Sequence, residues 1–447
     1  MAAGLALTLA MSVACAGCGS ASPAPGAAAA RLAAAANQAA SAGLGGHGEL
    51  AFIAHGSLFL TGGPAGRLRR VSLPGVPAAH AWSASHRWLA VQVAKPPPAG
   101  SPGPQKPAAL WVVGAAGTSA TKVTPSSWDV TGFAWSPRSG RLAVAAATPA
   151  RTGTTGVVAA VTATGARQVL ATGSYVSGVA WSPDGRQIAA GLYTGRPLWE
   201  GRVVLLSTAS GPPTVVTFSK DNVLELAGWW PSGSGLVYWT DTGGSASRAA
   251  DGLPLATVSV RGRMARQLTP TMLVHGSWLA FSRSMVAVVS GGDRVIWAGH
   301  KQITLCRRSG GCSPVAQAPG VVSLDPSWSP GGTRLVFARA SATGPFGPDG
   351  HAGFSPSWIR RWQATSRLWV ASAGGSAARP LTAAGQGALD PVWGTDGSLL
   401  FVRNDSLWLL PPGTARPVRV TGPLGAITGG AYYGYVPYPG LIAWTLA

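Results

Sequence analysis

Charged residues are scarce in this chain of 447 residues, where they make up 11% of the sequence. So few charges argue against long surface helices, because such helices need a charged or polar stripe along their length. Only 14 residues are Asp or Glu. That shortage argues against a catalytic pair of carboxylates, although a closed ring can bring together residues that are distant in the sequence.

Long apolar runs are also missing. The stretch Ala2–Val13 is too short to span a bilayer and has the length of a signal-peptide core. It leads into Cys15 and Cys18, and Cys18 follows the small residues Ala16 and Gly17. The pattern resembles the bacterial lipobox, which implies that the cysteine is lipidated and becomes the N-terminus after cleavage. We expect Cys18 to carry the lipid, such as palmitate, with Cys15 as the alternative; an ordinary secretory signal with incidental cysteines is the competing interpretation.

This interpretation divides the chain into three parts. Residues 1–18 are a lipoprotein signal peptide, residues 19–46 are a tether rich in Ala, Gly, Ser and Pro, and residues 47–447 are the folded domain. The predicted location is the extracytoplasmic face of the cell membrane, where the N-terminal lipid provides the membrane contact.

The charges that are present are strongly unbalanced. Lys and Arg number 34 against 14 acidic residues, which gives a net charge of +20. Such a field favours anionic partners such as lipid headgroups, wall polymers or nucleic acid. The basic residues are scattered singly and no nucleic-acid-binding module is recognisable, so we predict no nucleic-acid partner. A genome-wide bias towards arginine explains the excess equally well.

Cysteine is rare, with 4 residues in the whole chain. Cys306 and Cys312 flank a segment that ends in Gly310 and Gly311. The two glycines allow a tight reversal, so in an oxidising compartment the pair predicts a disulfide across a hairpin. No second pair of Cys or His is placed to complete four zinc ligands, and we expect no metal site.

Glycine and proline, in contrast, are abundant, with 62 and 36 residues. Many turns between short apolar runs are typical of an all-β fold. The turns recur in a repeated unit, as in Trp181-Ser-Pro-Asp-Gly-Arg and Trp328-Ser-Pro-Gly-Gly. The anchor residues lie about fifty residues apart, at positions 82, 135, 181, 230, 281, 328 and 393.

Each unit predicts four antiparallel strands. The tryptophan ends the first strand, Pro and Gly form a turn, Leu335-Val-Phe is typical of the second strand and Leu368-Trp-Val-Ala of the third. A more polar fourth strand follows. Units of this kind, arranged radially, make a β-propeller. The segments near Gly48 and Leu441 look like parts of one unit, so we expect the N- and C-terminal strands to complete one blade and to close a ring of seven or eight blades.

These repeats resemble the Trp-Ser-Pro-Asp-Gly repeats of TolB-like propellers, also called WD40-like repeats. Together with the lipobox and the ending Pro417-Val-Arg-Val-Thr-Gly-Pro, they are also similar to the propeller part of actinobacterial LpqB-type lipoproteins. The resemblance implies an all-β propeller fold in a lipoprotein of the cell envelope.

No catalytic motif is recognisable in the repeats. The sequence has neither a Gly-x-Ser-x-Gly elbow nor a His-Glu-x-x-His motif, and its 7 histidines are dispersed. Asp184 and Asp396 lie in predicted turns, where a structural role is favoured. We therefore predict a protein that is not an enzyme and needs no cofactor. The alternative is an extracytoplasmic propeller enzyme, a hydrolase or lyase, that uses the central channel.

Two insertions interrupt the repeat. Lys95–Lys106 is rich in proline and predicts a stiff, exposed loop. Residues 344–366 combine tryptophan with arginine, the side chains typical of binding hot spots, and the tryptophans either cap the propeller edge or contact a partner. The candidate partner-binding residues are Trp358, Arg360, Arg361 and Trp362. We expect a monomeric protein-binding or scaffold propeller that modulates an envelope complex or a sensor.

Overall fold

The computed structural model describes residues 44–62, 67–95, 105–151, 153–194, 200–209, 211–262, 265–344, 355–427 and 433–445. Within these ranges the chain forms 32 β-strands and two short α-helices. The predicted all-β class is therefore confirmed.

The strands form eight four-stranded antiparallel units, which we call blades 1 to 8. Six sheets contain four strands each, and a seventh contains eight because one parallel residue pair, Glu200 with Asn222, joins blades 4 and 5. This arrangement confirms the predicted β-propeller of four-stranded blades.

The strands of blades 1 to 4 are, blade by blade, β32 (Ile442–Thr445), β1 (Glu49–Ala54), β2 (Ser57–Gly62) and β3 (Arg67–Arg70); β4 (Val76–Trp82), β5 (Trp88–Lys95), β6 (Gln105–Gly114) and β7 (Ala120–Lys122); β8 (Asp129–Trp135), β9 (Arg141–Ala150), β10 (Gly153–Thr162) and β11 (Arg167–Gly173); and β12 (Tyr175–Trp181), β13 (Gln187–Thr194), β14 (Glu200–Ser207) and β15 (Thr214–Lys220).

The strands of blades 5 to 8 are, in the same order, β16 (Asn222–Trp229), β17 (Gly235–Thr242), β18 (Leu253–Ser259) and β19 (Arg266–Met272); β20 (Leu279–Phe281), β21 (Met285–Ser290), β22 (Gln302–Arg307) and β23 (Cys312–Pro314); β24 (Val321–Trp328), β25 (Arg334–Ser341), β26 (Arg367–Ser372) and β27 (Arg379–Pro380); and β28 (Ala388–Trp393), β29 (Leu399–Arg403), β30 (Ser406–Leu410) and β31 (Val418–Pro423).

The first and last strands of the chain share blade 1. Strand β32 pairs with β1 in antiparallel register, Glu49 opposite Thr445 and Phe52 opposite Ile442. The indole Nε1 of Trp444 donates to the carbonyl oxygen of the residue two positions before β1, at 2.9 Å. The two ends of the described chain therefore lie side by side in one sheet.

The anchor tryptophans connect neighbouring blades. Trp135 Nε1 donates to the carbonyl oxygen of Ala81 at 2.9 Å, and this acceptor lies one residue before the anchor of the preceding blade. Blade 5 corrects the predicted register by one residue, because Trp229 rather than Trp230 makes the equivalent bond, to Ala180 O at 3.1 Å. Since the ends of adjacent first strands meet in this way, the first strands of these blades run in the same direction.

The loops divide between the two ends of the blades. In an antiparallel four-stranded unit, the connection between the second and third strands lies at the end where the first strand begins, and we call this end the loop face. The described ends of both insertions lie there. Lys95 pairs with Gln105 at the base of the proline-rich insertion, and residues 342–366 join β25 to β26. The Ser-Pro-Asp-Gly turns lie at the opposite end.

The hydrophobic core lies in the interfaces between blades. Side chains of adjacent blades, such as Leu110 of blade 2 and Val144 of blade 3, form separate fully buried clusters. Blades 4 and 5 approach most closely beside Gly201, where a Cβ atom would stand 2.5 Å from the carbonyl oxygen of Asn222. A glycine at this position is what permits the parallel pairing of the two blades.

Candidate functional site

Four segments of the loop face pack together over blades 5 to 8, and we call them the cap. They are α1 (Ala246–Asp251), the loop 291–301, α2 (Pro356–Gln363) and the segment 433–441, which contains a 3₁₀ turn at Tyr438–Leu441. Buried apolar side chains from each of them join one hydrophobic cluster with the blades below. The cap is therefore a packed layer of the fold.

Helix α2 has a local sequence reason for its position. Ser355 caps its N-terminus, where the side chain accepts from Trp358 N at 3.4 Å, and a proline occupies the first turn. Ile359 and Trp362 lie on one face of the helix and are 0% and 2% exposed. The indole Nε1 of Trp362 donates to Ser341 O at 2.9 Å, which fixes the helix on blade 7.

The four candidate partner-binding residues consequently divide into two groups. Trp362 is buried against Trp297, with ring centroids 5.4 Å apart, so its indole stabilises the cap and is not offered to a partner. Arg360 and Arg361 are exposed, and Trp358 is half-buried. Of the four predicted residues, these three are accessible on the outward side of α2.

The loop 291–301 is organised around a buried lysine. Lys301 is 0% exposed. Its Nζ donates to four backbone carbonyl oxygens at 2.7 to 2.9 Å, those of Gly292, Asp293, Val295 and Ala298. Burial lowers the pKa of Lys301 to about 8, whereas the four acceptors favour the ammonium form. The lysine thereby holds the loop in a single conformation.

Arg294 connects three segments of the cap. Its Nε and Nη2 donate to the two carboxylate oxygens of Asp251 in α1, at 2.6 and 2.7 Å. The guanidinium also lies 5.4 Å from the ring centroid of Tyr433 in the C-terminal segment. Hydrogen bonding from Arg294 lowers the pKa of Asp251, which favours the charged form of this carboxylate beside the guanidinium.

The C-terminal segment is held by aromatic stacking. Tyr435 stacks on His275, with ring centroids 3.9 Å apart and planes 9° apart. The hydroxyl of Tyr435 lies 3.1 Å from Ser277 Oγ. Burial, and then the charge of Lys301, lowers the pKa of His275 to about 4, so the imidazole is neutral at pH 7. A neutral ring is the form that stacks without an uncompensated buried charge.

Two buried aspartates lie beneath the cap. Asp325 in β24 and Asp390 in β28 are 7% and 9% exposed. Asp390 N donates to Asp325 Oδ2 at 3.3 Å, and Trp278 Nε1 donates to Asp325 Oδ1 at 3.0 Å. Both aspartates have left-handed backbones, with φ of 54° and 47°, at points where the register of their strands shifts. Aspartate tolerates this conformation better than most residues, which suits it to a bulge.

Burial raises the pKa of both carboxyl groups. That of Asp325 rises to about 6, against the opposing effect of its two hydrogen bonds. That of Asp390 rises well above its ordinary value, because the charge of Asp325 adds to the cost of burial. Two adjacent carboxylates resist simultaneous ionisation. The folded pair therefore holds a proton to a higher pH than ordinary aspartates do.

A cavity of about 20 Å³ lies between the acid pair and the cap. It is lined by Trp278, Asp325, Trp362, Asp390, Tyr435 and Tyr438, among others. This volume is enough for roughly one water molecule. Pockets that hold substrates measure about 300–1,000 Å³. Among the described residues, the geometry thus provides a buried pair of acids but leaves no room for a substrate beside it.

The remaining predicted cysteine sites have different outcomes. Cys306 and Cys312 form a disulfide and are directly opposite each other in the β22–β23 hairpin. The lipidation candidates Cys18 and Cys15 lie outside the described residues, and so do residues 96–104 of the proline-rich insertion. The anchor therefore stays a prediction.

The two turn aspartates make local contacts. Asp184 accepts from Ser182 Oγ at 2.6 Å within its own turn. Asp396 accepts from Ser398 N at 2.8 Å, and its other oxygen lies 2.5 Å from Nδ1 of His47. The second contact connects blade 8 with the chain just before β1.

Sequence reasoning missed both the acid pair and the role of Lys301. A signal for the aspartates was present, because Leu324-Asp-Pro and Leu389-Asp-Pro stand at the same distance before the anchor tryptophans of blades 7 and 8. No comparable pattern marked Lys301. Its partners are backbone carbonyl groups, which every residue possesses.

The described ranges contain neither a metal cluster nor a membrane-spanning helix. In them, no three His, Cys, Asp or Glu side chains converge as metal ligands would. Neither do the helices in these ranges have the length and apolar character needed to cross a bilayer. Residues 1–43 are not among these ranges.

No family model matches the chain, and no curated protein matches its sequence. Solved structures do match it. Dipeptidyl peptidase 4 from Porphyromonas gingivalis is 10% identical, with a TM-score of 0.56 over 87% of this chain and 60% of that chain. TolB from Acinetobacter baumannii is 14% identical, with a TM-score of 0.39 over 61% of this chain and 64% of that chain. The β-propeller domain of the Trilobed protease from Pyrococcus furiosus is 7% identical, with a TM-score of 0.44 over 77% of this chain and 97% of that chain.

The chain spans 49% of the length of a prolyl endopeptidase that it also matches. At identities this low, the likeness extends to the fold alone. The similarity to LpqB-type lipoproteins stays a prediction. With eight four-stranded units and a repeated Trp-Ser-Pro turn, the described chain is a β-propeller.

Proposed function

We propose that this protein is an exported, lipid-anchored propeller that binds a protein partner through the outward side of its cap. The proposal is based on the two sides of α2. Ile359 and Trp362 are buried, whereas Arg360 and Arg361, which lie between them in the sequence, are exposed. The buried residues fix the helix, so the exposed ones are presented in one orientation. A preorganised surface of this kind loses less entropy on binding.

The exposed side chains suit an acidic protein surface. Arg360 and Arg361 form no ion pair with any described residue, and the whole chain carries a net charge of +20. Half-buried Trp358 lies one turn before Arg361 on the same helix and supplies an apolar contact. Arg and Trp are enriched at the centres of protein interfaces. We therefore expect the partner to present carboxylates around an apolar patch.

The proposed location rests on the sequence. The apolar run Ala2–Val13 and the small residues before Cys18 support export and lipid attachment. A disulfide between Cys306 and Cys312 is in keeping with an oxidising compartment. The tether, residues 19–46, gives the propeller enough reach to contact a partner near the membrane surface. There it would modulate an envelope complex or a sensor.

Affinity capture tests the binding role. The full-length protein serves as bait in detergent-solubilised membranes, and Arg360→Glu combined with Arg361→Glu is compared with Arg138→Glu combined with Arg186→Glu. The second pair makes the same charge change in turns at the opposite end of blades 3 and 4. We expect the first variant to lose a protein that the wild type and the control retain. Equal capture by both variants would contradict the proposal.

A second function is an extracytoplasmic enzyme, and the acid pair is the observation that favours it. Asp390 is buried next to Asp325 and its pKa is raised, so it is chemically able to act as a general acid. The cavity of about 20 Å³ argues against this function, because a substrate would have to displace the cap. Binding at the cap is therefore the function that the geometry supports better.

A further inference from the structure

Two arginines meet on one face of blade 7, beside the cap. Arg339 in β25 lies directly opposite Arg367 in β26 in the strand register. Both guanidinium groups lie over the indole of Trp369, at 4.4 and 4.8 Å from its ring centroid. Like charges directly opposite each other destabilise a sheet, and one aromatic face offsets only part of that repulsion.

Among the described residues, no carboxylate balances the charges of Arg339 and Arg367. Neither arginine forms an ion pair in the part of the chain that the structure describes. Arg339 is 8% exposed, and its guanidinium donates to Ser323 Oγ at 3.3 Å and to the carbonyl oxygen of Ala316. These bonds hold it beside half-buried Arg367. Burial, and then the charge of Arg367, lowers the pKa of Arg339, which is a sign that its charge is poorly compensated.

The cluster contains a third donor. Nε1 of Trp369 is buried and has no hydrogen-bond partner among the described residues. A guanidinium group donates hydrogen bonds and accepts none, so the group that would complete Arg339 and Arg367 is an acceptor with negative charge. Carboxylates and phosphates have the planar or multiple oxygen atoms that arginine pairs bind.

We propose that Arg339, Arg367 and Trp369 form a subsite for an oxyanion group, a carboxylate or a phosphate, carried by the protein partner. This inference rests on the proposed function, because it extends the basic surface of the cap: Arg367 begins the strand that directly follows α2. The bound oxyanion bridges the two guanidinium groups and removes their repulsion. Binding at this subsite therefore also stabilises the fold of blade 7.

Titration calorimetry on the full-length protein tests the subsite with two purified probes, a hexaglutamate peptide and inorganic phosphate. We expect at least one probe to bind, and the probe that binds more tightly identifies the oxyanion. Arg367→Gln should weaken binding about tenfold or more, because a charge-assisted hydrogen bond is lost. Arg367→Lys keeps the charge without the planar fork, so it should recover only part of the affinity. The matched control Arg138→Gln should bind like the wild type.

Three results would overturn the subsite: no binding of either probe, unchanged binding by Arg367→Gln, or equal weakening by Arg138→Gln, which would indicate attraction to the general positive charge. The melting temperature separates ligand binding from a structural role. Without a probe, Arg367→Gln should be at least as stable as the wild type, because it removes like-charge repulsion. A fall of several degrees would assign Arg367 to the fold instead. Both probes are pure compounds, so failure here leaves the result of partner capture untouched.

Discussion

Trp82 donates its indole Nε1–H to the carbonyl oxygen of Ala443 at 3.1 Å, and this bond joins blade 2 to the last strand of the chain. Trp135 makes the same bond to the preceding blade at 2.9 Å. The C-terminal strand therefore takes, beside blade 2, the position that the first strand of blade 2 takes beside blade 3.

Loss of the hydrogen bond from Trp82 should lower the free energy of unfolding measurably. Trp82→Phe keeps an aromatic ring but removes the donor, so we expect the free energy of unfolding to fall by about 1 kcal/mol beyond the effect of the smaller ring. Trp393→Phe is the matched control, because Trp393 holds an anchor position but its Nε1 has no acceptor among the described residues. Urea unfolding of both variants gives the comparison. An equal loss in both would show that packing alone explains the anchors.

The two tryptophans of α2 should differ in their effect on stability. Trp362 is 2% exposed and contacts Trp297, so Trp362→Ala leaves a cavity and should cost about 3–5 kcal/mol. Half-buried Trp358 should cost about 1 kcal/mol or less when changed to Ala. Chemical denaturation measures both. A larger loss for Trp358→Ala than for Trp362→Ala would mean that the helix is seated on its other face.

The acid pair predicts a specific pH dependence. Because the pKa of Asp390 is raised, the folded protein keeps a proton that the unfolded chain releases above pH 3.8. The contribution of the pair to stability is therefore highest at low pH and falls as the pH rises through about 6, the raised pKa of Asp325, and beyond. Asp390→Asn cannot ionise and has nearly the same shape.

We expect the melting temperature of Asp390→Asn, relative to the wild type, to be higher at pH 8 than at pH 5.5. Neutral His275 and buried Lys301 are the same in both proteins, so the difference between them isolates the pair. A constant difference across this range would mean that the two carboxyl groups do not share a proton.

The anchor prediction is tested by fractionation. Cys18→Ser should abolish lipid attachment and release the protein from salt-washed membranes, since a single cysteine carries the lipid. Cys15→Ser is the control and should stay with the membrane. The opposite pattern would place the lipid on Cys15, and absence of the wild-type protein from the salt-washed membranes would favour an ordinary secretory signal.

The repeat made most of the fold predictable, because the strands and turns of each blade are specified by residues close together in the sequence. A turn such as Ser182-Pro-Asp-Gly and the tryptophan before it need no information from distant residues. Blade 5 was misread by one position because Trp229 and Trp230 are adjacent and the sequence gives no criterion to choose between them. The hydrogen bond to Ala180 in the neighbouring blade decides the register.

The cap could not be predicted in the same way. It brings together four segments that are far apart in the sequence, and its contacts depend on the order of blades around the ring. Trp362 illustrates the point. A tryptophan beside arginines is typical of a binding hot spot, yet Trp297, from another blade, packs against Trp362 and buries it. Lys301 likewise acts through backbone carbonyls, which leave no mark in a sequence pattern.

Site-specific photo-crosslinking in intact membranes tests the central claim most directly. The photoreactive residue p-benzoylphenylalanine replaces Trp358 on the cap, or replaces Phe218, which is 59% exposed on β15 in blade 4 and serves as the control. We predict a discrete protein adduct from position 358 that disappears when Arg360→Glu and Arg361→Glu are added, and none from position 218. An adduct from position 218 alone, or the same adduct from both positions, would contradict the assignment of the partner site to the cap.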